Sequence, residues 1–416
     1  MAALRLVRVN VKSLLFKLSL VILVLAGLPL LGVVLAGYPV SRYLEFPPAT
    51  RYVEHGGFSW PVFFALCVFV CFVTAPFIIR VILTRPTPAP PFHPTLHPPF
   101  PRRAGDASFS RGPEPEAGSS PVGRGLGPWA ARTPSEAPPV RRHFPWWGSL
   151  GLLLLSASWT LAWSRFPWFA PWQGFTFSPI WVGYILVINA WTYRRTGHCL
   201  LLDRPKYFLW LFPLSAGFWW YFEYLNRFVQ NWHYAGIDSF SPLEYFIYAT
   251  LPFSTVLPAV LSTKEWVESC RRFTLPLQHF WPVRIRHWRM AAVLAFILGG
   301  VGLVGLGIWP DALFPAVWMS PILIMASLQV LFGRRSLFAG LQHGDWRSVW
   351  VPALAGLCCG LLWELWNSKS LAHWQYAVPY VQRFSLFEMP LLGYAGYLPF
   401  GVECALIADL FLGRRP

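Results

Sequence analysis

The sequence predicts an all-α, polytopic transmembrane protein of about ten spans, eight of them forming two parallel four-helix repeats. Three observations carry this. Charged residues make up only 12% of the 416-residue chain and mean hydropathy is +0.44, against about 25% charged in an ordinary soluble domain. Apolar runs recur near the roughly 20 residues that a helical crossing needs. The basic residues concentrate in alternate gaps between those runs.

The runs place spans at 18–37, 58–80, 146–165, 179–193, 207–223, 244–263, 290–309, 312–333, 348–366 and 389–411. With the N-terminus inside, 28 of the 34 Lys and Arg fall in inside gaps, and six (Arg42, Arg51, Arg165, Arg227, Lys369 and Arg383) fall outside. That is the bias of the positive-inside rule, so both termini are predicted to be cytoplasmic. The net charge of +16 is then a topology signal, and a nucleic-acid partner is set aside. The composition also excludes a soluble enzyme and a secreted disulfide scaffold. Five of the seven cysteines (Cys67, Cys71, Cys358, Cys359 and Cys404) lie inside apolar runs and read as small core residues. The first run exceeds the 7–15 residues of a signal-peptide core and is read as an uncleaved helix.

Four regions follow. Residues 1–85 hold an N-terminal pair of spans. Residues 86–142 carry 15 prolines and few aliphatics, a composition that cannot bury enough apolar surface to fold. They are predicted to be a disordered cytoplasmic linker, in which His93 and His97 carry no metal site. Residues 143–270 and 271–416 each contain four spans and read as copies of one unit. Glu223-x-x-Asn226 matches Glu364-x-x-Asn367 at an offset of 141; Trp232-x-Tyr234 matches Trp374-x-Tyr376 at 142; and Phe240-Ser241-x-x-Glu244 matches Phe384-Ser385-x-x-Glu388 at 144. Trp210 and Ala216-Gly217 match Trp350 and Ala355-Gly356. An even number of spans per copy gives parallel copies, related by an axis along the membrane normal.

Ionisable residues at spans are candidate functional groups. The chain has only 18 acids and five asparagines, so matched Glu and Asn stand out. Glu-x-x-Asn puts carboxyl and amide on one helix face, where the amide is expected to orient the acid. A carboxyl in a poorly hydrated place can act as a proton donor. Glu223, Asn226, Glu244, Glu364, Asn367 and Glu388 are therefore the catalytic candidates. Trp232, His233, Tyr234, His373, Trp374, Tyr376 and the mid-span Glu403 are the substrate-binding candidates. The competing structural reading is a solvated or Arg-paired Glu at a helix end, with the aromatics forming interfacial belts. Four Glu and two His equal the ligand count of a di-iron site, but Asn stands where such sites carry His; no metal and no cofactor is expected.

The order Glu223, Asn226, Trp232-x-Tyr234, Pro242-x-Glu244, repeated as Glu364, Asn367, Trp374-x-Tyr376, Glu388, resembles the integral-membrane lycopene cyclases. These carry a duplicated acid–Asn, W-x-Y, P-x-E-E pattern, and the likeness spans about 60 residues of each copy. Tyr245 and Met389 stand where that family has its second acid. The resemblance implies redox-neutral chemistry of carotenoid-biosynthesis type: a protonated carboxyl protonates a terminal alkene of an isoprenoid, a ring closes, and a base removes a proton. The run "FEMPLLGYAGYLPFGVE" also resembles uncharacterised bacterial multi-pass proteins, which implies a bacterial inner (cytoplasmic) membrane. Three readings stay open: an enzyme acting on a membrane lipid or isoprenoid, a proton- or cation-coupled transporter of a small or lipidic molecule, and a membrane assembly factor. The spans show no obvious Gly/Pro-broken pair, which weighs against transport.

Overall fold

A computed structural model describes residues 11–48, 50–84, 142–237, 239–334 and 336–413, with side chains described from residue 23 onward. The proline-rich segment lies outside the described residues. The chain is mostly helical. In order come α1 (Val11–Leu35), α2 (Trp60–Leu83), α3 (Trp146–Ser164), α4 (Phe177–Thr196), α5 (Leu200–Asp203), α6 (Pro205–Val229), α7 (Pro242–Phe253) and α8 (Val256–Ser269). The short α9 (Arg271–Thr274) is followed by α10 (Trp288–Ile308), α11 (Pro310–Leu313), α12 (Ala316–Leu331), α13 (Arg347–Asn367) and α14 (Tyr397–Leu412). Strands β1 (Trp232–Ala235) and β2 (His373–Tyr376) form one two-stranded ribbon, and β3 (Ser385–Leu386) with β4 (Met389–Pro390) forms another.

Each apolar run of the sequence overlaps a helix. Among the described residues, five helical segments are long and apolar enough to cross a membrane: α2, α7 with α8, α10, α13, and the segment Leu391–Leu412 that ends in α14. A sixth is reached if the 3-10 turn Pro167–Phe175 and α4, which meet at 67°, count as one span. All of α2 is unburied within the protein, as a lipid-facing helix would be.

Small residues set the closest helix crossings, as expected where lipid supplies no hydrophobic drive for helix association. A side chain on Gly32 of α1 would collide with the Val304 carbonyl of α10, and one on Gly401 of α14 with the Pro352 carbonyl of α13. The first helix thus docks on the later part of the chain. The segment joining α1 to α2 is tied down as well. The Gln230 side-chain carbonyl accepts from the N–H of Tyr52 (2.8 Å) and Val53 (2.9 Å), and its amide donates to the Thr50 carbonyl (2.9 Å). Asp311 takes the Gly56 N–H at 2.6 Å and faces His55 Nδ1 at 2.7 Å.

Two helices break in mid-course, which the sequence reading did not anticipate. One is the bend into α4; the other is the Ser254-Thr255 step between α7 and α8. A break frees backbone groups that apolar surroundings cannot satisfy. Buried Ser215 of α6 repairs this one: its hydroxyl donates to the Phe253 carbonyl (2.6 Å) and accepts from the Leu257 N–H (2.9 Å).

Candidate functional site

Helices α6 and α13 carry the two Glu-x-x-Asn stretches, and all four residues are buried. Past each Asn the chain leaves the helix; at α6 the left-handed Gln230 (φ 47°) turns it. The chain then runs into β1 or β2. These strands pair antiparallel, with Trp232 opposite Tyr376, His233 opposite Gln375, and Tyr234 opposite Trp374. Each W-x-Y therefore lies head to tail against the other, so the ribbon has local two-fold symmetry about His233 and Gln375.

The two acids are held alike. Glu223 Oε1 accepts from Tyr234 Oη (2.6 Å), Trp232 Nε1 (3.1 Å) and Trp219 Nε1 (3.1 Å). Glu364 Oε1 accepts from Tyr376 Oη (2.7 Å), Trp374 Nε1 (3.3 Å) and Tyr397 Oη (2.6 Å). Burial, with the facing carboxylate second, raises the phenol pKa of Tyr234 and Tyr376 well above the ordinary range, so both remain O–H donors. The other oxygen of Glu364 is buried without a hydrogen-bond partner.

The asparagines do not hydrogen-bond to the acids, contrary to the sequence expectation. Asn226 Nδ2 donates to the Trp232 carbonyl (2.7 Å), and its Oδ1 accepts the Trp232 N–H (3.3 Å). Asn367 does the same to Trp374, at 2.7 and 2.9 Å. A carboxamide has the same donor and acceptor pair as a peptide group, so it clamps the strand backbone instead. Asn226 and Asn367 are positioning residues: they fix the Trp whose indole reaches the acid.

Both sets of donors open onto one cavity. It is lined by Trp219, Trp232 and Tyr234 from the first cluster and Trp374, Tyr376 and Tyr397 from the second, and roofed by Trp318 and Trp363. The cavity volume is about 150 Å³. The bend into α4 (Phe177, Ser178), the α7–α8 break (Phe253, Val256) and the start of α14 (Gly396, Tyr397) all border it. Irregular backbone in a spanning helix is tolerated where it borders a cavity.

The remaining candidates fall away from this cavity. Exposed Glu244 closes a capping box on α7: its carboxylate accepts from Ser241 N–H (2.8 Å) and Oγ (2.7 Å), and its own N–H donates to Ser241 Oγ (3.3 Å). Glu388 sits in the β3–β4 turn rather than opening a helix. Leu386 replaces the helix-starting proline, and Phe384 and Phe387 adopt left-handed φ of 55°. His233 and His373 alternate with the Trp and Tyr along the ribbon, so they face its other side. There His233 Nε2 meets Gln375 Oε1 (3.2 Å), and burial, with Arg51 second, lowers the His233 pKa below its ordinary value. Glu403 is fully buried but does not line the cavity. Among the described residues no three His, Cys, Asp or Glu are placed to hold a metal.

The sequence reading missed Trp219, Tyr397, Trp318 and Trp363. Trp219 precedes Glu223 by four residues, a helical contact spacing, and was legible. Trp363 directly precedes Glu364 on α13 and was equally legible, whereas Trp318 and Tyr397 reach the site from α12 and α14 with no local signal. No family model matches the chain, and neither curated proteins nor solved structures yield a match.

Proposed function

We propose that the chain is an integral-membrane enzyme that carries out redox-neutral acid–base chemistry on a lipidic or isoprenoid substrate. The observation that carries this reading is the convergence on one aromatic cavity of the phenol and indole donors that hold two matched, buried carboxyls, which lie directly behind its lining. In this reading one carboxyl donates its proton to an alkene carbon, the cation closes a ring over the indole faces, and the other carboxyl takes a proton from the adjacent carbon. Proton count and oxidation state are conserved, so product and substrate are isomers. Lycopene-cyclase-like chemistry is one instance.

The proposal includes about ten spans and a parallel duplication of 143–270 in 271–416, with both termini on the cytoplasmic side of a bacterial inner membrane. The 28-to-6 split of basic residues supports the orientation. The matching hydrogen bonds and the local two-fold of the ribbon support the duplication. A transporter is the second reading. The helix breaks around the cavity favour it, because discontinuous helices commonly frame transport sites.

Extraction of lipids and pigments from cells with and without the gene tests the enzyme reading. The expected result is one compound that disappears on deletion while an isomer of equal mass and different retention accumulates. Accumulation of the same compound on one side of the membrane, with no isomer, would favour the transporter.

A further inference from the structure

Helix α14 holds an acid that the cavity chemistry leaves unused. Tyr397, Phe400 and Glu403 follow one another at three-residue steps along one face. Tyr397 borders the cavity. Phe400 packs edge-on against Trp219, Phe222, Trp318 and Trp363 behind it. Glu403 lies beyond this aromatic layer at 0% exposure, and neither of its carboxyl oxygens has a hydrogen-bond partner. Across from it on α6, within electrostatic range, the Tyr221 hydroxyl is also buried and unbonded.

The titratable neighbours supply no counter-charge. On α14 itself, Cys404 is a thiol, Asp409 is bonded by Gln329 and Tyr397 by Glu364. On α6, Glu223 is held by its three donors, Tyr224 donates to the Ala26 carbonyl, and the cations Lys206 and Arg227 lie at the two ends of the helix, Arg227 on the Glu223 side. On α13 the groups are Glu364, already bonded, the free thiols of Cys358 and Cys359, and Arg347 at its first residue, which pairs with Asp345. On α8, Lys264 pairs with Glu268; Glu265 is its other acid, and α12 contains no titratable residue. Before α14, Tyr394 donates to the Leu386 carbonyl. A carboxyl kept for structure would be hydrogen-bonded, and an ionised one here would pay a desolvation cost that nothing offsets. An intramembrane acid of this kind marks an ion or proton site.

We propose that Glu403 and Tyr221 form an intramembrane proton-binding site, separated from the cavity by Phe400 and independent of its chemistry. The carboxyl carries the proton while α6 and α14 are packed together. One proton passes to water when the two helices part, and Tyr221 is the first group to exchange a hydrogen bond with it.

The test is infrared spectroscopy of the full-length protein in lipid vesicles at neutral pH. Wild type minus Glu403→Gln should show one protonated-carboxyl C=O band, lost only in that variant and kept in Glu223→Gln and Glu364→Gln. Replacing sodium by potassium should leave it unchanged. Tyr221→Phe, which keeps the ring and serves if Glu403→Gln does not fold, should shift the band. Carboxylate bands in its place, a band abolished by sodium, or a Tyr221→Phe spectrum identical to wild type would each overturn the proposal.

Discussion

The two acid clusters agree where they meet the cavity and diverge everywhere else. Glu223 and Glu364 each take a Tyr hydroxyl and a Trp indole from their own W-x-Y, and each Asn clamps the same Trp backbone. Their third donors differ, Trp219 from the same helix against Tyr397 from another. Away from the cavity the matched positions part company. Gly217 meets open space while Gly356 packs against the Tyr397 backbone, and Trp210 is 64% exposed while Trp350 is 8% exposed. On the proposed duplication, helix packing differs between the halves, whereas the carboxyl, its two donors and its clamp match. That contrast supports the proposal that function lies in the cluster.

Three comparisons can break or sharpen this picture, and the largest effect belongs to the acids. Glu223→Gln and Glu364→Gln should each cut isomer formation at least about 100-fold, the usual worth of a positioned acid or base. Folded yield should hardly change, because Gln keeps the shape and still accepts the Tyr and Trp hydrogen bonds. Extracts from cells expressing each variant give the measurement. If one variant keeps full activity, the chemistry is one-sided and the second carboxyl is structural.

Next come the clamps. Asn226→Ala and Asn367→Ala each leave a buried Trp N–H and carbonyl unsatisfied, at about 1–3 kcal/mol. Thermal unfolding in detergent should drop for both, and further for Asn367→Ala, whose residue is 0% exposed against 8% for Asn226. Activity should fall with the loss of indole placement. Equal stability with lost activity would move the asparagines into direct contact with substrate.

How much of this was legible in the sequence follows from the range of each interaction. Helix positions came from the length of apolar runs, a local property. The Glu, Trp and Tyr of each cluster came from matched spacing, because their hydrogen bonds close within 12 residues, as for Tyr376 and Glu364. The Asn role was misread because an i,i+3 neighbour is not the only reach of an amide; the strand seven residues on offers Asn367 a better-matched partner. Tyr397 is 33 residues from Glu364 and Trp318 lies on another helix; only the folded packing brings them in. The α7–α8 break escaped because Ser215 supplies its hydrogen bonds from 38 residues away, leaving no local sign that a break could be tolerated.

The smallest expected effect concerns the second pair of matched acids. Pro242 at the first helical position sets φ for α7, so Ser241 and Glu244 can exchange their reciprocal bonds across the first turn. Ser385-Leu386 lacks that proline, and the chain folds back as a hairpin with Glu388 at its turn. Glu244→Ala should therefore lower thermal stability slightly and leave turnover per folded molecule unchanged. Glu388→Ala, with no cap to lose, should change stability less still. Thermal unfolding paired with product yield, both normalised to folded protein, separates the outcomes. A Glu244→Ala variant that folds as well as wild type yet loses turnover would contradict the capping role and return this acid to the chemistry. Equal effects of both substitutions would mean that the two positions share more than their present hydrogen bonds reveal, and the divergence drawn between the halves away from the cavity would fail first there.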